Sequence, residues 1–483
     1  MSKVIDAWNE ADFEFVAGQK LSRFKRKDIR GAIRESRYAL KLFERAHAIE
    51  EPNKQAGLES IGDVKVVTIL HASLPNHTGG YTGRAQGLLK GLMRNGINVR
   101  AYTRPGFYSE RVNSKEAFPY PVDQVDGVEY RHLPADFRRK NGEFEYMYKA
   151  IEWYREVFLV ERPNVVHVRS TYLIALPALI AAHELGVPVL YEVSGLWELV
   201  FEGRAQLGKA RRIERMEDAT CRYADRVVTM NSSMAKLLND RSENGLDIGL
   251  VPNAVDTSKF SHLTPLEEKD KFEYDAGYVG SLVDYEGLET LIRAVALGKQ
   301  RQQPLRIKIV GKGAELEKLS ALTEELGISD LVDMPGSVSP KEAVEVFEET
   351  NLIVLPRLST PATENVTPLK PFEAMAAGRP LVVSSVSALS EVSRDGKAAA
   401  VFQQGDPEEL LEKILELLGN REKQIALSKY AKSLVSDEHN WNWVAATMAR
   451  EISATAVPFQ RLPFLTDVAQ AHRSGSLVYP SVS

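Results

Sequence analysis

The sequence predicts an α/β protein made of two Rossmann-like domains, preceded by a helical segment. Three observations predict it. From about residue 62, short apolar runs alternate with stretches of helical periodicity. The rhythm breaks around Pro252 to Leu266, where VPNAVDTSKFSHLTPL mixes Pro, Asn, Asp and Ser. It then restarts and runs nearly to the end. Strand, helix, strand in repetition means parallel sheets covered by helices on both faces. The 483 residues suit two large α/β units with additions, at roughly 150 residues per domain.

The elements follow in order. VVTIL (66–70), VRAYT (99–103), VVHV (165–168), VPVLYEV (187–193), RVVTM (226–230) and IGLVP (248–252) read as buried strands of a first domain. AQGLLKGLMRNG and PALIAAHELG, between them, repeat their apolar residues at helical spacing and end at Gly, which suits a left-handed C-cap. In the second series YDAGYVGSL (274–282), LRIKIVGKG (305–313), VDMPGSV (332–338), LIVLP (352–356), PLVVSS (380–385) and AAAVF (398–402) are the strands. GLETLIRAVALG and DPEELLEKILELLG are helices among them. The division expected is a helical extension over 1–61, a first domain over 62–253, a second over 254–437, and a last helix and tail over 438–483. Ligands of open α/β sheets bind at the carboxyl ends of the strands, so the cleft between the domains is the place to look.

Composition excludes several classes. At 44% hydrophobic and 26% charged residues the chain is neither disordered nor collagen-like. One cysteine, Cys221, leaves no disulfide framework and no multi-cysteine zinc site. A net charge of −5 gives no global pull toward nucleic acid, and no nucleic-acid partner is expected. The longest apolar run, Tyr172 to Ala182, falls short of the roughly 20 residues of a membrane span. The N-terminus carries acids and no apolar core of a secretory signal. The cytoplasm is the expected address.

Chemistry is expected at two places. After the first strand, HASLPNHTGGYTGR turns through Gly79 and Gly80 into a helix, whose first amides and dipole form a general anion site. A tight turn would use the same glycines. The richer segment is PRLSTPATENVTPLKPFEAMAAGRPLVVSS (356–385). Thr367 reads as an N-cap with Pro368 at the first helical position. The amides of this turn, with Lys370, would face an anion. Glu373, one turn on, can accept two hydrogen bonds from a vicinal diol such as a ribose. The plainer reading is a helix cap with its capping carboxylate.

These residues resemble a family. HTGGYTGR, NVVHVRSTYLIALPALIAAHELGVPVLYEVSGLWE, LVPNAVDTSKF, GYVGSL with EGLETLI, IVGKGAEL and VTPLKPFEAMAAGRPLVVSS are similar to segments of the retaining GT-B glycosyltransferases of family 4, group 1. The resemblance covers about residues 62 to 455. VTPLKP looks like the form found in exopolysaccharide and surface-glycan clusters. The resemblance implies a GT-B fold and a hexosyltransferase that uses a nucleoside-diphosphate sugar as substrate; no cofactor is expected, and without an Asp-x-Asp triplet or clustered His ligands no metal is expected either. The donor site expected includes Gly79, Gly80, Gly280, Ser281, Arg357, Thr367, Leu369, Lys370 and Glu373. The resemblance also implies that the last helix crosses back to the first domain, with Trp441 or Trp443 at the crossing.

The sequence departs from the family at chosen points. Of the family's two Glu residues, the second matches Glu373, implied to bind the ribose. The first falls on Asn365, with Glu364 beside it. The Arg and Lys that neutralise the diphosphate fall on Ser281 and Glu286, so both positive charges are gone. A histidine after the fifth strand falls on Ser194. A departing nucleoside diphosphate needs positive charge, and losing one charged partner can cost several kcal/mol. Arg357 and Lys370 are expected to supply it, with the amides of Gly79, Gly80 and the Thr367 turn, and Arg84 as a further candidate. For Arg357 the alternative is a plain surface charge at a strand end. No protein nucleophile or base is expected. His71, His77 and His167 lie near strand ends, where a histidine is structural or touches substrate. Glu192 and Glu198, in YEVSGLWE, would contact the acceptor or stand in solvent.

Residues 20–45 hold ten Lys or Arg and three acids, +7 in a chain of −5. At 100° per residue Ile29, Ile33, Leu40 and Phe43 fall within about 80°. Arg23, Arg26, Lys27, Arg30, Arg34, Arg37, Lys41 and Arg45 gather in the adjacent arc of about 100°. Such a helix either lies on an anionic membrane surface or packs its stripe on the protein and leaves the cations solvated. Two functions are weighed: a glycosyltransferase acting on a glycan or lipid-linked acceptor, and a weakened GT-B module that binds without turnover. An epimerase or phosphorylase on the same fold ranks behind both, because no lysine site for pyridoxal phosphate is visible.

Overall fold

The computed structural model describes residues 2–21, 26–48, 64–112, 121–135, 139, 142–203, 205–242 and 245–459. Arg23 of the basic segment and the tail beyond residue 459 lie outside them. Two parallel sheets form the molecule. The first holds β1 (Lys65–Leu70), β2 (Asn98–Thr103), β3 (Val122–Val125), β4 (Val128–His132), β5 (Val165–Arg169), β6 (Val189–Val193), β7 (Arg226–Thr229) and β8 (Ile248–Leu250). Their order is β3-β4-β2-β1-β5-β6-β7-β8, and only β3 runs antiparallel. The second holds β9 (Tyr274–Val279), β10 (Ile307–Val310), β11 (Val332–Gly336), β12 (Thr350–Leu355), β13 (Leu381–Ser384) and β14 (Ala400–Phe402), all parallel, in the order β11-β10-β9-β12-β13-β14.

Every strand named from sequence is present. The β3–β4 hairpin is an addition. Its turn is Asp126-Gly127, both at positive φ (46° and 83°), the Asp-Gly signature of a two-residue hairpin. In both sheets the first strand lies inside the sheet with a later strand on either side, β1 between β2 and β5 and β9 between β10 and β12. That reversal of order is where an open α/β sheet opens a crevice at its carboxyl edge. Helix Tyr172–His183 is apolar on all sides, and eleven of its residues are buried. It is a core helix between β5 and β6, which accounts for the longest apolar run of the chain.

The chain crosses between the domains twice. The second crossing ends in helix Trp441–Thr455, capped by Asn440, whose side chain accepts from the Trp443 amide at 2.9 Å. Val444, Ala445, Met448 and Ile452 pack with Leu88, Leu92 and Val66 of the first domain. Two of the glycines of helix Gly80–Arg94, Gly87 and Gly91, make room. A Cβ on Gly87 would lie 2.2 Å from the Trp441 ring, and one on Gly91 2.3 Å from Ala445 Cβ. Trp441 is therefore the crossing residue, and Trp443 is partly exposed.

The basic helix Lys27–His47 lies on its own domain. Ile29, Ala32, Ile33, Ala39, Leu42 and Ala46 are buried, and Leu40 and Phe43 pack against the same core. Arg45 pairs with Glu184 at 2.5 Å, and Arg37 donates to the Ala17 and Gln19 carbonyls. Much of the apolar stripe is thus used within the fold. Among the described residues no helix is long and apolar enough to cross a membrane.

Candidate active site in the cleft

The segment after β12 builds one wall of the cleft. Arg357 follows the strand, a short helix Pro361–Asn365 begins at the cap Thr360, and helix Lys370–Ala376 begins after Leu369. Thr367 is not a cap. Its hydroxyl accepts from Asn231 Nδ2 at 2.7 Å and its carbonyl from Asn253 Nδ2 at 2.8 Å, both from the first domain. The turn is held across the cleft rather than by its own helix, because Pro368 and the extended Val366 keep Thr367 away from the helix start. Leu369 meets the glycine loop, with its Cδ1 3.7 Å from where a Gly80 Cβ would stand. So the two segments singled out from sequence face each other. The Gly79 amide is already used, donating to Thr82 Oγ1 at 3.1 Å. The next amides of that helix have no intrahelical acceptor.

Glu286 changes the electrostatics of this wall. Its Oε1 accepts from Lys370 Nζ at 2.7 Å and from Arg357 Nη2 at 3.1 Å, while its Oε2 is buried without a partner. Burial pushes the Glu286 carboxyl up, but Arg357 and Lys370 outweigh it and hold the group below the ordinary carboxylate range. Burial in turn lowers the Lys370 ammonium, with Glu286 opposing. Arg357 is buried in this pair, so it is not a surface charge at a strand end. Lys370 and Arg357 are both present where expected, yet one of their two charges is cancelled by the carboxylate. Gly280 lets the lysine chain through, since a Cβ there would lie 2.1 Å from Lys370 Cε. Ser281 is exposed and its carbonyl accepts from Tyr278 Oη at 2.9 Å.

Glu373 stands apart from this pair. Burial raises its carboxyl, with Lys370 and Lys259 opposing. Among the described residues no hydrogen bond or ion pair engages it. A partly buried carboxylate without a protein partner is suited to receive donors from a ligand. Asn365 and Glu364 do not join it. The Asn365 carbonyl accepts from Asn231 at 2.9 Å, and Glu364 accepts from the Ser387 hydroxyl and amide.

Three acceptor-side expectations are corrected. Arg84 is 3% exposed and donates to Glu192, Asn253 and the Pro252 and Val251 carbonyls. It locks the first sheet to the interdomain crossing and does not reach a diphosphate. Glu192, 1% exposed, receives Arg84 at 2.8 Å, Arg169 at 2.9 Å and His167 at 3.0 Å. Burial would raise its carboxyl, but Arg169, Arg84 and His167 drive it well below the ordinary range. This buried knot also takes up Ser194, whose Oγ donates to Glu192 at 3.1 Å. His167 is structural. Glu198 is buried against Arg241 at 2.7 Å. Their places near the cleft suggested exposure, but each charge is answered by a group distant in sequence, Arg84 by Glu192, Glu192 by Arg169 and Glu198 by Arg241.

His71 and His77 do line open space. With Tyr81, Ser194 and Trp197 they border a pocket of about 210 Å³ at the ends of β1, β5 and β6. His71 Nδ1 is buried without a partner. Trp197, missed from sequence, is 45% exposed, and its place just after a strand end was the available signal.

Residues 79–254 match the glycosyl transferase 4-like domain and residues 265–434 the glycosyl transferases group 1 model. Together they take in well over half of the chain. The chain belongs to the group 1 glycosyltransferases. Its two facing α/β domains have the GT-B fold. It is 31% identical over 238 residues to the D-inositol 3-phosphate glycosyltransferase of Corynebacterium jeikeium, across 46% of this chain and 55% of that one. This group 1 chain thus spans about half the length of that curated relative. Among solved structures it is similar to sucrose-phosphate synthase of Thermosynechococcus elongatus, with a TM-score of 0.64 at 19% identity over 80% of this chain and 98% of that one. It is also similar to HepE of Anabaena in complex with UDP, with a TM-score of 0.59 at 14% identity over 81% of this chain and 100% of that one. At these identities the structures speak to the fold of this glycosyltransferase.

Proposed function

We propose that the chain transfers a hexosyl unit, with retention, from a nucleoside-diphosphate sugar to a glycan or lipid-linked acceptor of a surface polysaccharide or glycoconjugate. The observation that carries the reading is the unpartnered Glu373 carboxylate beside Lys370, opposite the Gly80 loop. Glu373 receives the ribose diol. Lys370 and Arg357 meet the diphosphate, and the first amides of helix Gly80–Arg94 add to them. In the reaction the acceptor oxygen bonds to the anomeric carbon, the bond from that carbon to the diphosphate breaks, and the hydroxyl proton leaves on the diphosphate. The chain's part is to hold both reactants and to stabilise the charge that develops on the leaving group.

Thermal unfolding with UDP, GDP, ADP, CMP or buffer alone tests this. A ligand at 100 times its Kd adds about 2.7 kcal/mol, and one diphosphate is expected to raise Tm by several degrees. Glu373→Ala is expected to abolish the rise. One observation favours a second reading, a binding module without turnover: Glu286 already occupies both cations. A Tm rise without transfer to any acceptor supports that second reading, and no rise with any nucleotide sinks both.

A further inference from the structure

The first domain carries a second hollow, continuous with the cleft through His71. It measures about 230 Å³ and is bordered by His71, Glu143, Trp197 and Phe201, with Arg139 and Lys209 on its rim. We propose that this hollow holds the acceptor, and that the acceptor is a saccharide bearing an anionic group, either a carboxylate or a phosphate. The inference rests on the glycosyltransferase reading and deepens it.

Each wall has its own chemistry. Trp197 is 45% exposed. A pyranose presents C–H groups made positive by its oxygens, and these lie well on the negative face of an aromatic ring. The Trp197 and His71 rings stand 6.5 Å apart at 44° and form one angled wall of the hollow. Burial, then Arg104 and Arg139, lowers the His71 imidazole well below its usual value. It is therefore neutral at pH 7, and its buried Nδ1 has no partner.

The rim is cationic in an acidic chain. Lys209 Nζ lies over the Phe201 ring at 3.7 Å, and no carboxylate pairs with Lys209 or with Arg139 among the described residues. The nearby Arg104 is answered by Glu110 at 2.5 Å. Glu143, the carboxylate of the hollow, is taken by the Tyr172 hydroxyl. Two cations against the single carboxylate of the hollow, Glu143, leave a net positive charge beside an aromatic platform, which favours an anionic sugar over a neutral one.

The test uses the full chain saturated with the diphosphate that raises Tm most. Binding of methyl β-D-glucuronide, glucose 6-phosphate and methyl β-D-glucoside is followed by ligand-observed NMR. The two anionic sugars are expected to bind about tenfold more tightly than the neutral one, a factor that corresponds to about 1.4 kcal/mol. Arg139→Gln with Lys209→Gln is expected to erase that preference, and Trp197→Ala to weaken all three sugars. A preference for the phosphate alone or the carboxylate alone identifies the source of the charge. Equal affinity for the neutral sugar overturns the proposal, as does a preference that survives the double substitution or binding of none of the three. The nucleotide-induced Tm rise, read in the same samples, reports separately on the donor reading and on the folding of the variants.

Discussion

Lys370 Nζ donates to Glu286 Oε1 at 2.7 Å, and Arg357 shares that oxygen at 3.1 Å. A carboxylate thus holds the two cations that a diphosphate would need. Glu286→Gln keeps the shape and removes the competing charge. Nucleoside-diphosphate affinity is expected to rise about tenfold, since a hydrogen bond to a charged group carries about 1.5–3 kcal/mol. Stability without ligand is expected to fall, because Lys370 and Arg357 lose their counter-ion. Titration calorimetry and thermal unfolding read the two effects. An unchanged or weaker affinity would show that the carboxylate does not compete with the donor.

The Thr367 hydroxyl is the bond point between Asn231 and the donor-side turn, at 2.7 Å. Thr367→Val removes only that acceptor. A loss of about 1 kcal/mol is expected, the net worth of one hydrogen bond. With the turn less fixed, donor KM should rise several-fold while kcat changes little. A fall in kcat at constant KM would place Thr367 in the chemistry instead of in positioning.

The fold was legible because its signals are local. Alternation of apolar runs and helical periods marked the strands, and a Pro-, Asn- and Asp-rich stretch marked the crossing. The Asp126-Gly127 hairpin was legible too, but its strands are short and half polar, so periodicity passed over them. The site was legible in part. Leu369 meets Gly80 across the cleft, and Lys370 and Glu373 follow Leu369 on one helix. Arg84, Glu192 and Glu198 misled because a charge near the cleft looks exposed until its partner is known. Their partners Asn253, Arg169 and Arg241 lie 23 to 169 residues away, and no spacing encodes such pairings. The cation role of Glu286 was hidden likewise, since the sequence shows a lost lysine and not the two cations that converge on its replacement.

Gly87 is where the last helix seats on the first domain. Its missing Cβ would stand 2.2 Å from the Trp441 ring. Gly87→Ala raises helix propensity by about 1 kcal/mol, yet a net loss of about 1–3 kcal/mol is expected from overpacking. Trp441→Ala should absorb much of the added methyl, so the two substitutions together should cost less than their sum. Urea unfolding of the two single variants and the double variant checks this. Strict additivity would mean that the contact does not govern the seating of the helix.

Glu217 lies fully buried beneath the mouth of the first domain, with Glu198 and Asp218 as acidic neighbours. Burial, then Glu198, pushes its carboxyl up to about 8. Asp218 is raised to about 6 in the same group, and Arg241 pairs with Glu198 at 2.7 Å. The folded chain therefore keeps the Glu217 proton while the unfolded chain releases it near 4.5, the ordinary value. Between those values the unfolded state binds fewer protons, so stability falls as pH rises. At about 1.36 kcal/mol per pH unit, the fall from pH 5 to pH 8 amounts to several kcal/mol. Glu217→Gln satisfies the same neighbours. Its carbonyl can accept from the Tyr172 amide, as Glu217 does at 3.0 Å, and its amide can donate to the Tyr191 oxygen. The variant is expected to match the parent near pH 5, to lose far less stability toward pH 8, and to be the more stable protein there. Urea midpoints at four pH values between 5 and 8 decide it. Parallel curves for parent and variant would mean that Glu217 ionises in the folded chain as it does in the unfolded one.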